Sequence, residues 1–189
     1  MKVVLLASGA GSLASAIFAA IDSGDLTIDI AMVISDKDAP ILKIAKGLNL
    51  PTALIPMKAE RSEWDREIFE TVKEIAPDLV VSVGFMRILA ANFVEHFKVI
   101  NTHPALLPHF PGAHAVRDAL QAGASVTGTT VHWVDAGVDT GAVISQREVA
   151  IVAGDSEDSL HERIKIEERL LIVETLQKFA RIGIPGSDG

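Results

Sequence analysis

Asn101 and His103 stand two residues apart in Val99-Ile100-Asn101-Thr102-His103-Pro104-Ala105-Leu106-Leu107-Pro108. If the chain stays extended through His103, both side chains project to the same side. Asparagine donates a hydrogen bond without titrating, and histidine holds or releases a proton near neutral pH. Together they suit a reaction in which an oxyanion develops while a proton moves. A lone histidine also has an ordinary structural reading, and residue types alone do not separate the two. A second stretch, Asp135-Ala136-Gly137-Val138-Asp139-Thr140-Gly141, reads first as a hairpin loop, because its acids and glycines suffice to turn a chain. Alternatively, a carboxylate at Asp139 orients His103 and stabilises its protonated form.

A third candidate is Ser8-Gly9-Ala10-Gly11-Ser12-Leu13-Ala14, where a strand gives way to a helix. Glycines let the backbone approach a ligand, and a helix start offers unpaired N–H groups with partial positive charge. That combination makes a phosphate site. The stretch also fits a loose dinucleotide fingerprint, with Asp36 at the end of the next strand where a ribose-binding acid would sit. A plain tight turn is the third reading. A Walker loop is excluded, since Lys-Ser/Thr is absent.

These residues need elements to carry them. Val3 to Ala7, Ile30 to Ile34, Thr52 to Ile55, Leu79 to Val83 and Val99-Ile100 read as strands. Leu13 to Ile21 reads as a helix with Ser12 as its cap and Gly24 beyond its end. Pro40 to Gly47 and Ser62 to Ile75 are also helical, the latter with Trp64, Ile68, Val72 and Ile75 on one face. Gly112 to Ala122 predicts a further helix, Thr127 to Val134 and Ala142 to Val149 an antiparallel pair, and Ser156 to Ala180 a long amphipathic helix. Alternation of strand and helix up to about residue 122 gives βαβ units. The fold class expected is therefore α/β: three layers, Rossmann-like, with a mostly parallel sheet and an antiparallel edge hairpin. Ligands of such sheets bind beyond the carboxyl ends of the strands.

Length and composition agree. A chain of 189 residues closes one sizeable core, and 49% hydrophobic with 22% charged residues is ordinary for a globular protein. One domain over 1–183 and a disordered tail over 184–189 are expected. The net charge of -8 argues against a nucleic-acid partner. No run approaches the ~20 apolar residues that span a bilayer. Without cysteine there is no disulfide or thiolate chemistry, and a cytoplasmic location is the simplest expectation.

In combination, Asn101-Thr102-His103-Pro104-Ala105-Leu106-Leu107-Pro108, Pro111-Gly112, Gly128-Thr129-Thr130-Val131-His132 and Asp139-Thr140-Gly141 resemble the formyltransferase superfamily, along residues 1 to about 183. With Gly9, Gly11 and Gly84-Phe85-Met86-Arg87-Ile88-Leu89, the resemblance is strongest to its purine-synthesis branch. It implies Asn101, His103 and Asp139 as the catalytic trio. It implies Gly11, Ser12 and Leu13 on the acceptor's phosphate, and Lys165 and Glu168 on its ribose. For folate it implies Met86, Arg87, Ile88 and Leu89, the wall formed by Asp135, Ala136, Gly137, Val138 and Asp139, and Arg61 for a ligand carboxylate. Arg61 and Arg87 are expected to meet the carboxylates of the folate's glutamate tail. Ala10, Leu13, Ala142 and Arg169 depart from the residues common in the family, and any side-chain contact from position 13 is lost.

The activity so implied is transfer of the formyl group of 10-formyltetrahydrofolate, as co-substrate, to the amine of 5'-phosphoribosylglycinamide, with tetrahydrofolate leaving. No metal is required. Small molecules are the only partners expected, with a monomer or homodimer as the assembly and neither nucleic acid nor membrane involved. Within the superfamily, a transfer-RNA formylating enzyme would extend beyond this C-terminus and a formyltetrahydrofolate hydrolase would begin before Val3. A sugar-amine formyltransferase disagrees only with the glycine turn. Two other classes stay open: a nicotinamide dehydrogenase, suggested by the turn and Asp36, and a non-catalytic ligand-binding domain.

Overall fold

The computed structural model describes residues 1–186. Its strands and helices alternate: β1 (Lys2–Leu6), α1 (Ser12–Asp22), β2 (Asp29–Ser35), α2 (Pro40–Gly47), β3 (Thr52–Leu54), α3 (Arg61–Ile75) and β4 (Leu79–Ser82). Then follow α4 (Ala91–His96), β5 (Val99–His103), α5 (Ala115–Gln121), β6 (Val126–Trp133), β7 (Val143–Ala150) and α6 (Glu157–Ile182). The sheet runs β3-β2-β1-β4-β5-β6-β7. From β3 to β5 all neighbours are parallel, and β6 is antiparallel to both β5 and β7.

Strand β1 is aliphatic without alternation because both of its faces are covered. Val3 and Leu5 join a core under α1, α2 and α6. Val4 and Leu6 join one under α3 and α4, built around Trp64, Ile68 and Phe93. Trp64 is fully buried, and its indole N–H donates to the Ile55 carbonyl at 2.9 Å. Truncating it to alanine would cost about 3–5 kcal/mol. The chain winds one way from β1 to β3 and the other way from β4 onward. The β1–β4 junction is therefore the switch point where a ligand crevice opens.

Three local expectations are corrected. Ser12 is the first helical residue of α1, and the cap is Gly11 in the left-handed region with no side-chain cap bond. Helix α5 begins at Ala115, three residues after the expected Gly112, because Gly112 (φ 90°) gives its N–H to Asp139 instead of opening a helical turn. Helix α4 was not anticipated: its six residues are too few to show a period. The expected disordered tail lies partly outside the described residues (187–189), and 183–186 continue α6 without regular structure.

Candidate active site

Strand β5 stays extended through His103 because β6 pairs with it that far, Asn101 opposite His132 and His103 opposite Thr130. Asn101 and His103 therefore point the same way, into a cavity of about 710 Å³ beyond the carboxyl ends of β1, β4 and β5. The loop after β6 brings Asp139 to them. Asp135 shapes that loop by accepting from the Gly137 N–H at 3.0 Å and the Thr140 hydroxyl at 2.7 Å. Asp139 itself adopts φ 55°, a conformation that non-glycine residues rarely hold. Its Oδ2 accepts the Gly112 N–H at 2.8 Å and lies 3.3 Å from His103 Nδ1. On the other edge of the ring, Nε2–H donates to the Phe110 carbonyl at 2.8 Å. The ring thus lies between two acceptors, the Phe110 carbonyl at Nε2 and the Asp139 carboxylate beside Nδ1. The expected pairing of His103 with Asp139 is thus present, but the second N–H is held by the protein instead of facing the cavity.

A fourth polar group completes the cluster. His132, buried at 1% exposure, gives Nδ1–H to the Trp133 carbonyl at 2.8 Å. Burial holds its pKa below the ordinary value, against the opposing pull of that bond and of Asp139. The neutral ring offers only its Nε2 lone pair, and Asn101 Nδ2 lies 3.4 Å away as a donor. This fixes which end of the Asn101 amide carries the donors and leaves its other N–H for a ligand. Sequence reading placed His132 in a motif but gave it no role. Its position directly opposite Asn101 is a consequence of the β5–β6 register.

The glycine turn lines the same cavity, from Gly9 to Leu13. Gly11 at φ 80° fits closely under α2: a Cβ there would lie 2.5 Å from Ile41 Cδ1. With no side-chain cap, the first-turn N–H groups of α1 have no partner within the helix. Facing them across the cavity is one side of α6, with His161, Lys165 and Glu168 at i, i+4 and i+7. Glu168 is 5% exposed, and burial pushes its pKa up to about 7 despite the nearby charges of Lys165 and Arg169. Lys165 Nζ lies 2.8 Å from Glu162, so its charge is shared with a surface acid. His161 was not foreseen; a single histidine in an amphipathic helix gives no signal until its face is known.

The remaining wall is loop. Residues 83–90 have no helix or strand. Phe85 and Leu89 turn into the core, while Met86 (71% exposed) and Ile88 (60% exposed) line the cavity with Val138. Arg87 Nε donates to Asp36 Oδ2 at 2.6 Å. Arg61 Nε binds Asp65 at 2.8 Å, and its Nη2 donates to the Ile88 carbonyl. Both arginines expected at a ligand's carboxylates are thus already engaged by the protein. Asp36, its side chain 1% exposed and bound to Arg87, does not line the cavity, and the dinucleotide reading loses its acid. Among the described residues no group of three or more His, Cys, Asp or Glu is placed to hold a metal, and no helix is long and apolar enough to cross a membrane.

Comparison with known proteins agrees with this geometry. Residues 1–176 match the model of the formyl transferase family. A phosphoribosylglycinamide formyltransferase of Mycobacterium tuberculosis is 44% identical over 97% of this chain and 86% of that protein. Among solved structures, glycinamide ribonucleotide transformylase 1 of Symbiobacterium toebii superimposes with a TM-score of 0.91 at 34% identity, covering 96% of this chain and 88% of that one. The phosphoribosylglycinamide formyltransferase of Bacillus halodurans gives 0.90 at 32% identity, covering all of both chains. On a family match of that extent, carried by a cavity with Asn101, His103 and Asp139 at its floor, the chain belongs to the formyl transferase family.

Proposed function

We infer that this chain transfers the formyl group of 10-formyltetrahydrofolate to the amine of 5'-phosphoribosylglycinamide, a step of purine biosynthesis. The observation that carries the reading is the meeting of two dissimilar arms at one polar floor. One arm is a helix start facing His161, Lys165 and Glu168; the other is an apolar loop wall; Asn101, His103 and Asp139 lie between.

We propose the residue roles as follows. The uncapped turn of α1 at Gly11, Ser12 and Leu13 holds the acceptor's phosphate by backbone N–H groups, which a leucine at position 13 supplies as well as any residue. Lys165 and Glu168 take the ribose. Met86, Arg87, Ile88 and Leu89, with the 135–139 loop, hold the folate ring, and Arg61 stands toward its glutamate tail. The acceptor amine attacks the formyl carbon, a C–N bond forms, and the carbonyl oxygen becomes an oxyanion. The free N–H of Asn101 meets that oxyanion. His103 Nε2–H, which the Phe110 carbonyl accepts at rest, changes partner to meet it too. Asp139 orients the ring and takes the proton of the attacking ammonium, directly or through water. The oxyanion then collapses to the carbonyl of the N-formyl product as the bond from carbon to the folate nitrogen breaks, and that same proton passes to the nitrogen, which leaves as the N–H of tetrahydrofolate. Positioning of two substrates supplies much of the acceleration.

Residues 1–183 are proposed to act as one cytoplasmic domain on small molecules, as monomer or homodimer, with neither metal nor nucleic acid. The test is a spectroscopic assay of tetrahydrofolate release. Release that depends on the ribosylated glycinamide supports the reading. Release by water alone would point to a hydrolase, and no release would refute it.

A further inference from the structure

We propose that Asp36 and Arg87 form an internal anchor that sets the pterin-reading loop, and that Arg87 acts through this anchor and not by meeting the tail of the folate. The proposal rests on the folate reading above and goes beyond it by reassigning the arginine.

The loop after β4 has no hydrogen-bonded ladder to hold its shape. Its residues alternate as in a strand: Phe85 and Leu89 face inward, Met86 and Ile88 outward into the cavity. Arg87 lies between them, exposed and lining the cavity, yet its Nε edge turns back to a carboxylate. Asp36 directly follows β2, has its side chain only 1% exposed and takes Arg87 Nε at 2.6 Å. A buried acid at the end of a central strand is a fixed point, whereas a 41%-exposed arginine alone would sample many rotamers.

A second tie acts beside it. The Ser8 N–H donates to the Gly84 carbonyl at 3.0 Å, and the Met86 N–H donates to Ser8 Oγ at 3.0 Å. Burial opposes ionisation of Asp36, but bonds from Ser8 and Arg87 and the guanidinium's charge outweigh it and keep its pKa below the ordinary value. Asp36 Oδ1 is buried without a partner of full hydrogen-bond geometry among the described residues, and Oδ2 takes Arg87 Nε. The loop is thereby held at Gly84 by the Ser8 backbone, at Met86 by the Ser8 hydroxyl and at the Arg87 side chain by Asp36, and neither Ser8 nor Asp36 lines the cavity. An arginine whose Nε edge is spent inward presents the backbone of 87–89 in one register. Asp36 is accordingly a positioning residue.

The experiment compares dissociation constants of tetrahydrofolate and of tetrahydropteroate, which has the same ring but no glutamate. Arg87→Ala and Asp36→Asn should each weaken both compounds by the same factor, about tenfold for loss of a hydrogen bond to a charged group. The double variant should be no weaker than the worse single. The acceptor's Michaelis constant should move less than twofold in all three. If Arg87→Ala weakens only the glutamate-bearing compound, Arg87 meets the tail and the anchor is refuted. Multiplicative losses in the double variant refute it as well. Should Asp36→Asn fail to fold, the Arg87→Ala comparison still decides. Failure of the unaltered protein to bind either compound would sink the functional reading itself, and the anchor with it.

Discussion

The two arms of the cavity are built in opposite ways. The acceptor arm is regular structure: a helix start pressed against α2 at Gly11, and one face of α6, whose start is secured by the reciprocal Ser156–Ser159 capping box. The folate arm is two loops, 83–90 and 134–142, shaped by side-chain bonds from Ser8, Asp36 and Asp135. Its cavity-lining residues Met86, Ile88 and Val138 are apolar and at least half exposed. On the proposed reading, the first arm offers preformed polar groups to a phosphate and a ribose, and the second an apolar area that a flat ring would bury. Rigid polar groups suit a charged ligand because hydrogen-bond geometry is strict, whereas burial of apolar surface tolerates adjustment.

The floor shared by the arms gives the largest expected effect. Asp139→Asn and His103→Ala should leave binding of both substrates within a few-fold and lower turnover by about 10²–10³, the usual cost of an oxyanion donor. The double variant should lose little more than the worse single, since the two act as a unit. Steady-state rates under saturation measure this. Multiplicative losses would show that the floor is not one device, and a change confined to one substrate's Michaelis constant would move the residue from the floor into an arm.

Next is Glu168 in the acceptor arm. Its folded pKa, about 7, lies above the ordinary 4.5, so between those values the folded state binds more protons than the unfolded chain. Stability therefore falls as pH rises through that window and is lowest, from this group, above 7. Glu168→Gln should remove that slope and gain at most about 3 kcal/mol above pH 7, while raising the acceptor's Michaelis constant and not the folate's. Denaturant midpoints at pH 5 and 8 check it. An unchanged slope would mean the carboxyl is better solvated than its burial indicates.

Most of the sheet was legible because a doubly covered strand is a continuous apolar run, and β1 and β4 read so directly. Type, spacing and family resemblance led to Asn101, His103 and Asp139, and the structure brings these three to one cavity. What stayed hidden depends on register and on who meets whom. His132 matters because β6 places it opposite Asn101. Asp36 read as a ribose acid because its place at the end of β2 is common to many sheets; only the contact with Arg87 shows it occupied. The position of Gly112 made an early start of α5 the natural expectation, and its bond to Asp139 is a tertiary fact.

A smaller effect separates a glycine's two duties in the acceptor arm. At Gly11 any side chain strains a left-handed φ and strikes Ile41, so Gly11→Val would lose fold and ligand together. At Gly9 a Cβ meets nothing within 4 Å, and the position lines the cavity. Gly9→Val should therefore keep the thermal midpoint and raise the acceptor's Michaelis constant about tenfold, the size of one lost charge-assisted hydrogen bond. Equal effects on both substrates would remove the phosphate from this turn.

The smallest effect is expected in the folate arm, at Ile88. Its side chain is 60% exposed beside Met86, so the unliganded protein gains little from it and a polar replacement should leave stability within about 0.5 kcal/mol. A bound ring would cover much of that area. Fully burying an isoleucine is worth about 1.5–3 kcal/mol, and covering about half of it about 1 kcal/mol, or roughly fivefold in affinity. Ile88→Ser should therefore weaken folate about fivefold and leave the acceptor untouched. Because the loss is hydrophobic, it should persist unchanged from low to high salt, unlike any contact that an arginine makes with a carboxylate. Tetrahydropteroate should lose the same factor, since the ring and not the tail covers Ile88. If serine at this position costs nothing, the exposed apolar row is not the ring's wall, and the contrast between a polar preformed arm and an apolar waiting one no longer holds.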